Sequence, residues 1–227
     1  QGTNLESKGL RVGVVTGIVA IWQWLIRFEG QQDHAGGTSM AERRDAGLSA
    51  VRLLSAIDQE FPRVCDERST WTTGRISLDP GAPSIIPGTA EVLFQFRDVS
   101  VPVLERMAAT LRALVQENNR REKCPASLTQ KSRATPAICD PAMMAALEAA
   151  AQEEAPGAWT RMPSGAGHDA VHTAAVAPTV MVFVPSEGGL SHNPAESTSL
   201  AECAAGVQVL LEAVLAHDRL LADRRKA

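Results

Sequence analysis

The stretch WQWLIRFE, Trp22–Glu29, alternates apolar with polar side chains over most of its length and decides how the first half of the chain folds. A period of two is typical of a strand that has one face covered by other residues. Outward from this strand, similar patterns predict a helix, two strands, a second helix and a last strand, the later four at 70–78, 90–98, 102–121 and 126–132.

The first helix of that series is predicted from a capping box. Ser39 and Glu42 have the S-x-x-E spacing, and apolar residues follow at roughly helical spacing up to Ile57. The resulting order, βαββαβ, predicts a ferredoxin-like two-layer module over residues 20–135. Many unrelated proteins use this fold, so the module by itself indicates no function.

The residues on either side of the module have the pattern of an α/β layer. One strand is predicted over 11–18 and an apolar, buried one over 177–184. We therefore predict an α/β domain, made of residues 1–19 and 136–227, that is interrupted by the module. With two or three strands, this domain is small for its type.

Two helices are predicted in the C-terminal segment, the first capped by Asp140 and the second by Ser199. The second helix has an apolar stripe that we expect to face the core, formed by Leu200, Cys203, Ala204, Val207, Leu211 and Val214.

Composition excludes several kinds of partner. The net charge is -4 at pH 7, so the chain lacks the positive field that a phosphate backbone requires, and we expect no nucleic-acid partner. The longest apolar run, 12–26, contains polar residues and is too short to span a bilayer, so we expect no membrane partner. No secretory signal pattern opens the chain, and four widely spaced cysteines favour a reduced, cytoplasmic location.

Two residues of the module are candidates for substrate contacts. His34 follows the first strand on a loop, where it either shapes a turn or acts as a general acid or oxyanion donor. Arg97 lies near a strand end, where it either pairs with Asp98 or grips a carboxylate with its guanidinium fork. The residue types leave both alternatives open.

The C-terminal segment contains two further motifs. In SGAGHDA, which begins at Ser164, the glycines allow a backbone approach to an anion, but a plain strand-to-helix turn fits equally well. His168 and Asp169 could pair as ligand and orienting group or merely cap a helix. In SHNPAE, His192 is a candidate metal ligand, but only Glu196 is a second candidate close by, and a zinc site needs three or four.

Five motifs, taken in order, resemble those of one family: HAGGTSMAERRDA, GAPSIIPG, QFRD, PSGAGHDA and SHNPAE. They are similar to motifs of the hydantoinase/carbamoylase family of metal-dependent amidohydrolases, which includes N-carbamoyl-L-amino-acid hydrolases, allantoate amidohydrolases and β-ureidopropionases. The resemblance covers essentially all 227 residues. It implies part of a dinuclear-metal peptidase/aminoacylase-type catalytic domain with an inserted ferredoxin-like lid that also forms a homodimer.

The resemblance also implies residue roles. His34 would polarise the substrate carbonyl in the active site of the partner subunit, and His192 would bind one of two divalent ions, zinc or manganese. The substrate would be contacted by Arg97, Ser84, Gly165, Ala166, Gly167 and Gln1. His168, Asp169 and Glu196 would lie near the site in roles that stay open.

The resemblance places the other metal ligands and the general-base glutamate upstream of this segment. The family usually has His-Ile-Glu-Gln-Gly where this chain begins with Gln1 and Gly2. We therefore expect at most a partial metal site, and Ser84, which replaces the usual asparagine, leaves the exact substrate open.

The predicted function is hydrolysis of the carbamoyl C–N bond of N-carbamoyl-L-amino acids or related ureido acids. In an intact member, a metal-bridging water would attack the ureido carbonyl after losing its proton to the upstream glutamate. One alternative is an allantoate amidohydrolase in the full-length protein. Another is a catalytically silent fragment that dimerises through the module, which we expect of the isolated chain.

Overall fold

The computed structural model of the chain describes residues 3–226. The strands in this range are Val12–Ile18 (β1), Ala20–Glu29 (β2), Asp33–His34 (β3), Thr70–Asp79 (β4), Ile85–Ile86 (β5), Thr89–Asp98 (β6), Ala126–Arg133 (β7), Ala137–Ile138 (β8), Trp159–Ser164 (β9) and Met181–Phe183 (β10). The α-helices are Ala46–Glu60 (α1), Val101–Arg121 (α2), Pro141–Glu154 (α3), Ala170–Ala174 (α4) and Leu200–Arg224 (α5). The mixture of sheets and helices confirms the predicted α/β class.

Contacts within the chain separate it into two compact units. Residues 20–135 form one, which we call the module, and the segments up to Val19 and from Pro136 onward form the other, which we call the flanking unit. The lid and catalytic roles that the resemblance assigns to these units stay predictions.

The module is built on one four-stranded antiparallel sheet with the strand order β4-β6-β2-β7. Every second residue of β6 is buried, including Val92, Phe94 and Phe96, and these side chains share one core with α1 and α2. At the end of α1, Phe61 contacts Phe94 and Phe96 edge-on, with ring centroids 5.7 and 5.8 Å apart. Period-two alternation therefore predicted correctly which sheet face is covered.

The start of α1 differs from the predicted capping box. The helix begins at Ala46, and the Asp45 carboxylate accepts a hydrogen bond of 2.9 Å from the Leu48 amide. Ser39 Oγ instead donates to the Glu42 carboxylate at 3.0 Å within a turn that precedes the helix. Asp is as good an N-cap as Ser. The residues between His34 and Asp45 form a loop instead of the first turn of the helix.

A short ladder continues the sheet beyond the end of β2. The strands β3 and β5 pair antiparallel, with Asp33 opposite Ile86 and His34 opposite Ile85. Between this ladder and the main sheet, the Gly30 amide donates to the Gly88 carbonyl at 2.8 Å. The ladder therefore lies beyond the end of the sheet where β2 finishes and β6 begins.

The flanking unit is organised around β1. The strand β9 pairs with it in parallel, while β8 and β10 pair with it antiparallel. Val12 and Val14 of β1 pack with α3 and α5 in a small core that is rich in alanine. The Asp140 cap of α3 and the Ser199 cap of α5 are both present as predicted, accepting from the amides of Met143 and Glu202.

The predicted core stripe of α5 is exposed. The helix buries Ala205, Gly206, Val209 and Ala213 instead. Val207 is 66% exposed and Val214 56% exposed, and Leu200, Leu211, Cys203 and Ala204 are exposed too. The prediction was wrong because the small residues of α5 let it lie close to β10 and α3, and these neighbours occupy the opposite side of the helix.

Two further features of the flanking unit differ from the sequence-based prediction. The strand β10 covers only three residues of the predicted 177–184, and its side chains are half-buried. By length and composition, α5 is the one helix among the described residues that could cross a bilayer, and 17% of that apolar window is buried. One such helix is weak evidence for a membrane protein.

Candidate functional site

His34 is held in a tight turn by its own ring. Its Nδ1 atom accepts hydrogen bonds from the backbone amides of Gly36 at 3.2 Å and Gly37 at 2.9 Å. Its carbonyl accepts from the Thr38 hydroxyl at 3.1 Å, and its amide donates to Asp33 Oδ1 at 2.7 Å. The side chain is exposed.

This geometry selects one state of the imidazole. An Nδ1 atom that accepts two N–H donors carries no proton, so the neutral ring has its proton on Nε2. The ring is thus an Nε2–H donor on an exposed loop. Of the two alternatives for His34, turn-shaping and donation to a substrate oxygen, the arrangement allows both at once.

Arg43 was not among the residues selected from the sequence, although it holds this turn in place. Its Nη2 atom donates to the Ala35 carbonyl at 2.8 Å and to the Thr38 carbonyl at 2.9 Å, and its side chain is only 17% exposed. The same guanidinium lies 3.8 Å from the Asp45 cap of α1. The only sequence signal was an arginine shortly before an N-cap aspartate, which is too common to indicate this contact.

Ser84 lies beside the His34 turn. Its carbonyl accepts a hydrogen bond of 3.0 Å from the Ala35 amide, next to the pairing of His34 with Ile85. Ser84 is exposed. The structure therefore brings Ser84 and His34 together at one end of the module.

Arg97 lies near the C-terminal end of β6, on the face opposite the helices. Its neighbour Asp98 points to the covered face, where it is 4% exposed and accepts hydrogen bonds from the Ser69 hydroxyl and the Ser100 amide. Strand alternation therefore separates the Arg97 side chain from the Asp98 carboxylate. In register, Arg97 stands between Ile21 of β2 and Thr70 of β4.

His34 and Arg97 lie at opposite ends of the module's sheet. Arg97 is eight residues along β6 from Thr89, which corresponds to about 26 Å at the usual rise of a strand. His34 lies beyond the Thr89 end, in the ladder of β3 with β5. One substrate of amino-acid size cannot contact both side chains of the same module.

In the flanking unit, the buried Ser164 at the end of β9 pairs with the half-buried His168. Ser164 is 1% exposed, and its Oγ lies 2.7 Å from His168 Nε2. The same Oγ accepts from the Ala166 amide at 3.2 Å, so it fixes the intervening glycine-rich turn. Burial lowers the pKa of the His168 imidazole, and the nearby Asp169 carboxylate partly opposes this shift. The ring also packs at 5.7 Å against Phe183.

The rest of the SGAGHDA motif is exposed or half-buried. A Cβ atom at Gly165 would meet nothing within 4 Å, which leaves space beside the backbone there. Asp169 makes no capping hydrogen bond with its side chain at the start of α4. The hydrogen bond that orients the His168 ring runs from its Nε2 atom to Ser164. The sequence had suggested Asp169 as the orienting group.

His192 has an unusual backbone conformation. Its φ angle is 57°, in the left-handed region that non-glycine residues rarely occupy. The Glu196 carboxylate accepts a hydrogen bond of 3.0 Å from the His192 amide, and the Asn193 side chain accepts one of 2.9 Å from Ala195. Glu196 therefore holds the His192 backbone, and the imidazole is exposed. Strain of this kind is concentrated at functional positions.

Over residues 3–226, no group of three or more histidine, cysteine, aspartate or glutamate side chains lies close enough to hold a metal ion. The residues present therefore do not form a metal site by themselves. Gln1, the remaining candidate, lies outside the described residues. All four cysteines are free thiols.

Comparison with known proteins agrees with these motifs. A family model described as peptidase family M20/M25/M40 matches residues 1–216. An uncharacterized hydrolase of Haemophilus influenzae is 34% identical over 95% of the chain, and the N-carbamoyl-L-amino acid amidohydrolase of Geobacillus stearothermophilus is 33% identical over 94%. The allantoate amidohydrolase of Bacillus subtilis is 32% identical over 93%.

A crystal structure of an amidase of the hydantoinase/carbamoylase family from Burkholderia phymatum is similar to most of this chain. It is 41% identical, with a TM-score of 0.88 over 94% of the chain and 52% of that protein. The Haemophilus influenzae and Geobacillus stearothermophilus relatives are likewise matched over 52% of their lengths, and the Bacillus subtilis relative over 51%. The chain thus spans about half the length of the relatives it matches.

Proposed function

Because the chain belongs to peptidase family M20/M25/M40, we propose that it carries substrate-contacting residues of an amidohydrolase that cleaves the carbamoyl C–N bond of N-carbamoyl-L-amino acids or related ureido acids. The resemblance to hydantoinase/carbamoylase amidases, read from five motifs, is confirmed by the relatives and by the similar crystal structure. The single observation that carries the proposal is the exposed Nε2–H of His34, fixed by two hydrogen bonds to Nδ1.

His34 is proposed to donate from Nε2 to the ureido carbonyl oxygen. As water adds to the carbonyl carbon, negative charge develops on this oxygen, and a fixed donor stabilises it more than it stabilises the ground state. Collapse of the adduct releases ammonia, and loss of carbon dioxide then gives the free amino acid. Ser84 lies beside His34 and is proposed to contact the same end of the substrate.

Arg97 is proposed to bind the substrate carboxylate. A planar guanidinium can donate two parallel hydrogen bonds to a carboxylate, and a strand end holds it in a fixed position. The turn of Gly165, Ala166 and Gly167 is proposed to add backbone contacts, and the hydrogen bond between Ser164 and His168 supports its shape.

The proposal requires a homodimer. Since His34 and Arg97 lie about 26 Å or more apart along one sheet, we propose that each active site takes His34 from one subunit and Arg97 from the other. The module would then be a ferredoxin-like lid that also dimerises. Its strand order, β4-β6-β2-β7 in a βαββαβ chain order, is compatible with that role.

Divalent metal is proposed to belong to the intact enzyme, with His192 as one ligand. A bound divalent ion supplies a Lewis acid and an activated water in such sites. The described residues alone hold no group of three metal-binding side chains. The remaining ligands and the general base are proposed to lie in the half of the relatives' length that this chain does not match. No step assigned to His34, Arg97 or Ser84 depends on the ion's position.

One observation favours a second function for the 227 residues on their own. Because the described residues hold no group of three metal-binding side chains, the isolated chain is proposed to be a catalytically silent fragment that dimerises through the module. An allantoate amidohydrolase stays the alternative within the ureido class, on the similarity to the Bacillus subtilis relative.

The test uses a fused chain, in which the residues of the Geobacillus stearothermophilus relative that lie outside the match are placed ahead of Gln1. Ammonia release is measured with N-carbamoyl-L-amino acids and allantoate in the presence of Zn²⁺ or Mn²⁺. We expect release by the fused chain, and a loss of about 100-fold in kcat for His34→Gln. An inactive fused chain, beside an active relative in the same assay, would contradict the proposal.

A further inference from the structure

A pair of glutamine amides lies beside Arg97 on the face of the module's sheet that is away from α1 and α2, which we call the outer face. Residues two apart along a strand share a face, so Gln95 lies on the outer face with Arg97, about 7 Å away along β6. In register, Gln23 of β2 lies opposite Gln95. Gln23 Nε2 donates to Gln95 Oε1 at 3.4 Å, which leaves the Gln95 Nε2 protons as donors toward a ligand.

An open cavity of about 420 Å³ lies beside this amide pair. Both glutamines line it, together with Gly74, Lys131 and three apolar residues, Trp24, Leu93 and Phe94. The cavity therefore combines amide and ammonium donors with apolar surface.

Two irregularities of the sheet border the cavity. The register of β4 with β6 shifts at Gly74, and the register of β2 with β7 shifts at Lys131, so each of these residues is a bulge in an edge strand. A Cβ atom at Gly74 would meet only the Leu93 carbonyl oxygen within 4 Å, which leaves space on that side. Bulges are common next to active sites, where they change the direction of a side chain.

The charges around the cavity favour an anionic group. Arg75 of β4 shares the outer face with Arg97, and Lys131 lines the cavity from the other edge of the sheet. The first carboxylate along β6 on this face belongs to Glu91, and it is paired with Arg27 at 2.8 Å. The cations nearest to the cavity are therefore not neutralised by Glu91.

We infer that this cavity receives the substrate side chain and selects ureido acids whose side chain ends in a carboxylate, as in N-carbamoyl-L-glutamate. The inference rests on the proposed function, in which Arg97 holds the α-carboxylate. The second carboxylate accepts hydrogen bonds from the Gln95 amide and the Lys131 ammonium group. The methylene groups of the side chain contact the apolar part of the lining.

An aliphatic side chain of similar length fits the cavity less well. It would displace water from the Gln95 amide and from Lys131 without replacing the hydrogen bonds that this water makes. A site with polar groups of this kind discriminates against the analogue that lacks their partner. A hydrogen bond to a charged group corresponds to about a 10-fold difference in affinity or more.

Binding is measured on the ¹⁵N-labelled 227-residue chain by NMR titration. We expect N-carbamoyl-L-glutamate to shift the side-chain amide signals of Gln23 and Gln95. N-carbamoyl-L-norleucine, which lacks the second carboxylate, should bind at least about 10-fold more weakly. No shift of either amide signal, or equal affinities for the two compounds, would overturn the inference.

A lysine variant with a matched control makes the titration specific. Lys131→Met removes the ammonium group and should abolish most of the preference for N-carbamoyl-L-glutamate. Lys131 is exposed, so this variant should fold like the unaltered chain. Lys8→Met removes the same charge from an exposed position of the flanking unit and should keep the preference. A preference that survives in Lys131→Met would overturn the role given to the cavity.

Kinetics of the fused chain separate this inference from the proposed function. We expect kcat/KM for ammonia release to be at least about 10-fold higher with N-carbamoyl-L-glutamate than with N-carbamoyl-L-norleucine, and this ratio to fall toward one in Lys131→Met. Release without such a preference would support the proposed function and overturn the inference. Lysine-dependent amide shifts without ammonia release from any ureido acid would contradict the proposed function and support the cavity as a site for acidic side chains.

Discussion

His34 is the residue whose surroundings say most about chemistry. A loop histidine with both nitrogens in solvent would exchange between tautomers, but two glycine amides donate to Nδ1 here. The proton of the neutral ring is therefore held on Nε2, which is a donor on an exposed side chain. The amides come from Gly36 and Gly37, the second and third residues after the histidine.

Arg43 should control the state of this ring. Replacing it by methionine removes two hydrogen bonds from the turn, and we expect the free energy of unfolding to fall by about 2 kcal/mol. Loss of the turn also frees Nδ1, so the ¹⁵N shifts of the His34 ring should move toward a tautomer mixture. Arg44→Met, at the exposed neighbouring position, is the control. Unchanged ring shifts in Arg43→Met would show that the turn holds His34 without the arginine.

His168 should make stability depend on pH. Because burial lowers its pKa in the folded chain, the unfolded state binds the proton first as the pH falls. The free energy of unfolding should therefore decrease as the pH is lowered below the ordinary histidine value of 6.5, toward the lowered pKa of the folded state. Chemical denaturation between pH 5 and 8, around the usual histidine titration, gives the free energy of unfolding at each pH. In His168→Gln this free energy should depend less on pH than in the unaltered chain. His172→Gln, at an exposed position, should retain the slope of the unaltered chain.

For single residues, the sequence identified the candidate site residues better than it identified the contacts that hold them in place. His34, Ser84, Arg97 and His192 were selected from motifs, and the structure brings the first two together. Arg43 was missed because its partners are backbone carbonyls, whose positions depend on the turn and not on residue spacing. The Ser164–His168 bond joins two side chains and was missed because it depends on the shape of the turn between them.

At the scale of single elements, α1 gives a direct comparison of two caps. Asp45→Ala removes the hydrogen bond to the Leu48 amide and should lower the free energy of unfolding by about 1 kcal/mol. Ser39→Ala, at the cap predicted from the sequence, should change it by less than about 0.5 kcal/mol, as is usual for surface substitutions. Urea titrations of both variants decide between the caps, and a larger loss for Ser39→Ala would place the helix start upstream.

Periodicity predicted the elements of the module well and those of the flanking unit less well. The strands β2 and β6 have one polar face, so alternation identified both the strand and its covered side. In α5, apolar residues occupy two sides, and periodicity cannot say which side this chain covers. The side with alanine and glycine packs against β10 and α3, because small residues allow a close approach.

At the scale of the whole molecule, the length of the module's sheet is the decisive feature. It places His34, the proposed donor to the substrate carbonyl, and Arg97, the proposed carboxylate-binding residue, at opposite ends of one sheet. Neither the motifs nor their spacing contain this separation, since it depends on the antiparallel register of β2 with β6. The separation is the physical argument that an active site of this type needs two copies of the module.

The most direct test mixes two inactive variants of the fused chain, His34→Ala and Arg97→Ala. If each active site combines His34 of one subunit with Arg97 of the other, a mixed dimer has one intact site and one site with both defects. Dimers reassembled from equal amounts should then release ammonia at about a quarter of the rate of the unaltered protein, since half of them are mixed. No activity above that of the separate variants would contradict the account, because it would show that one subunit supplies both residues to each site.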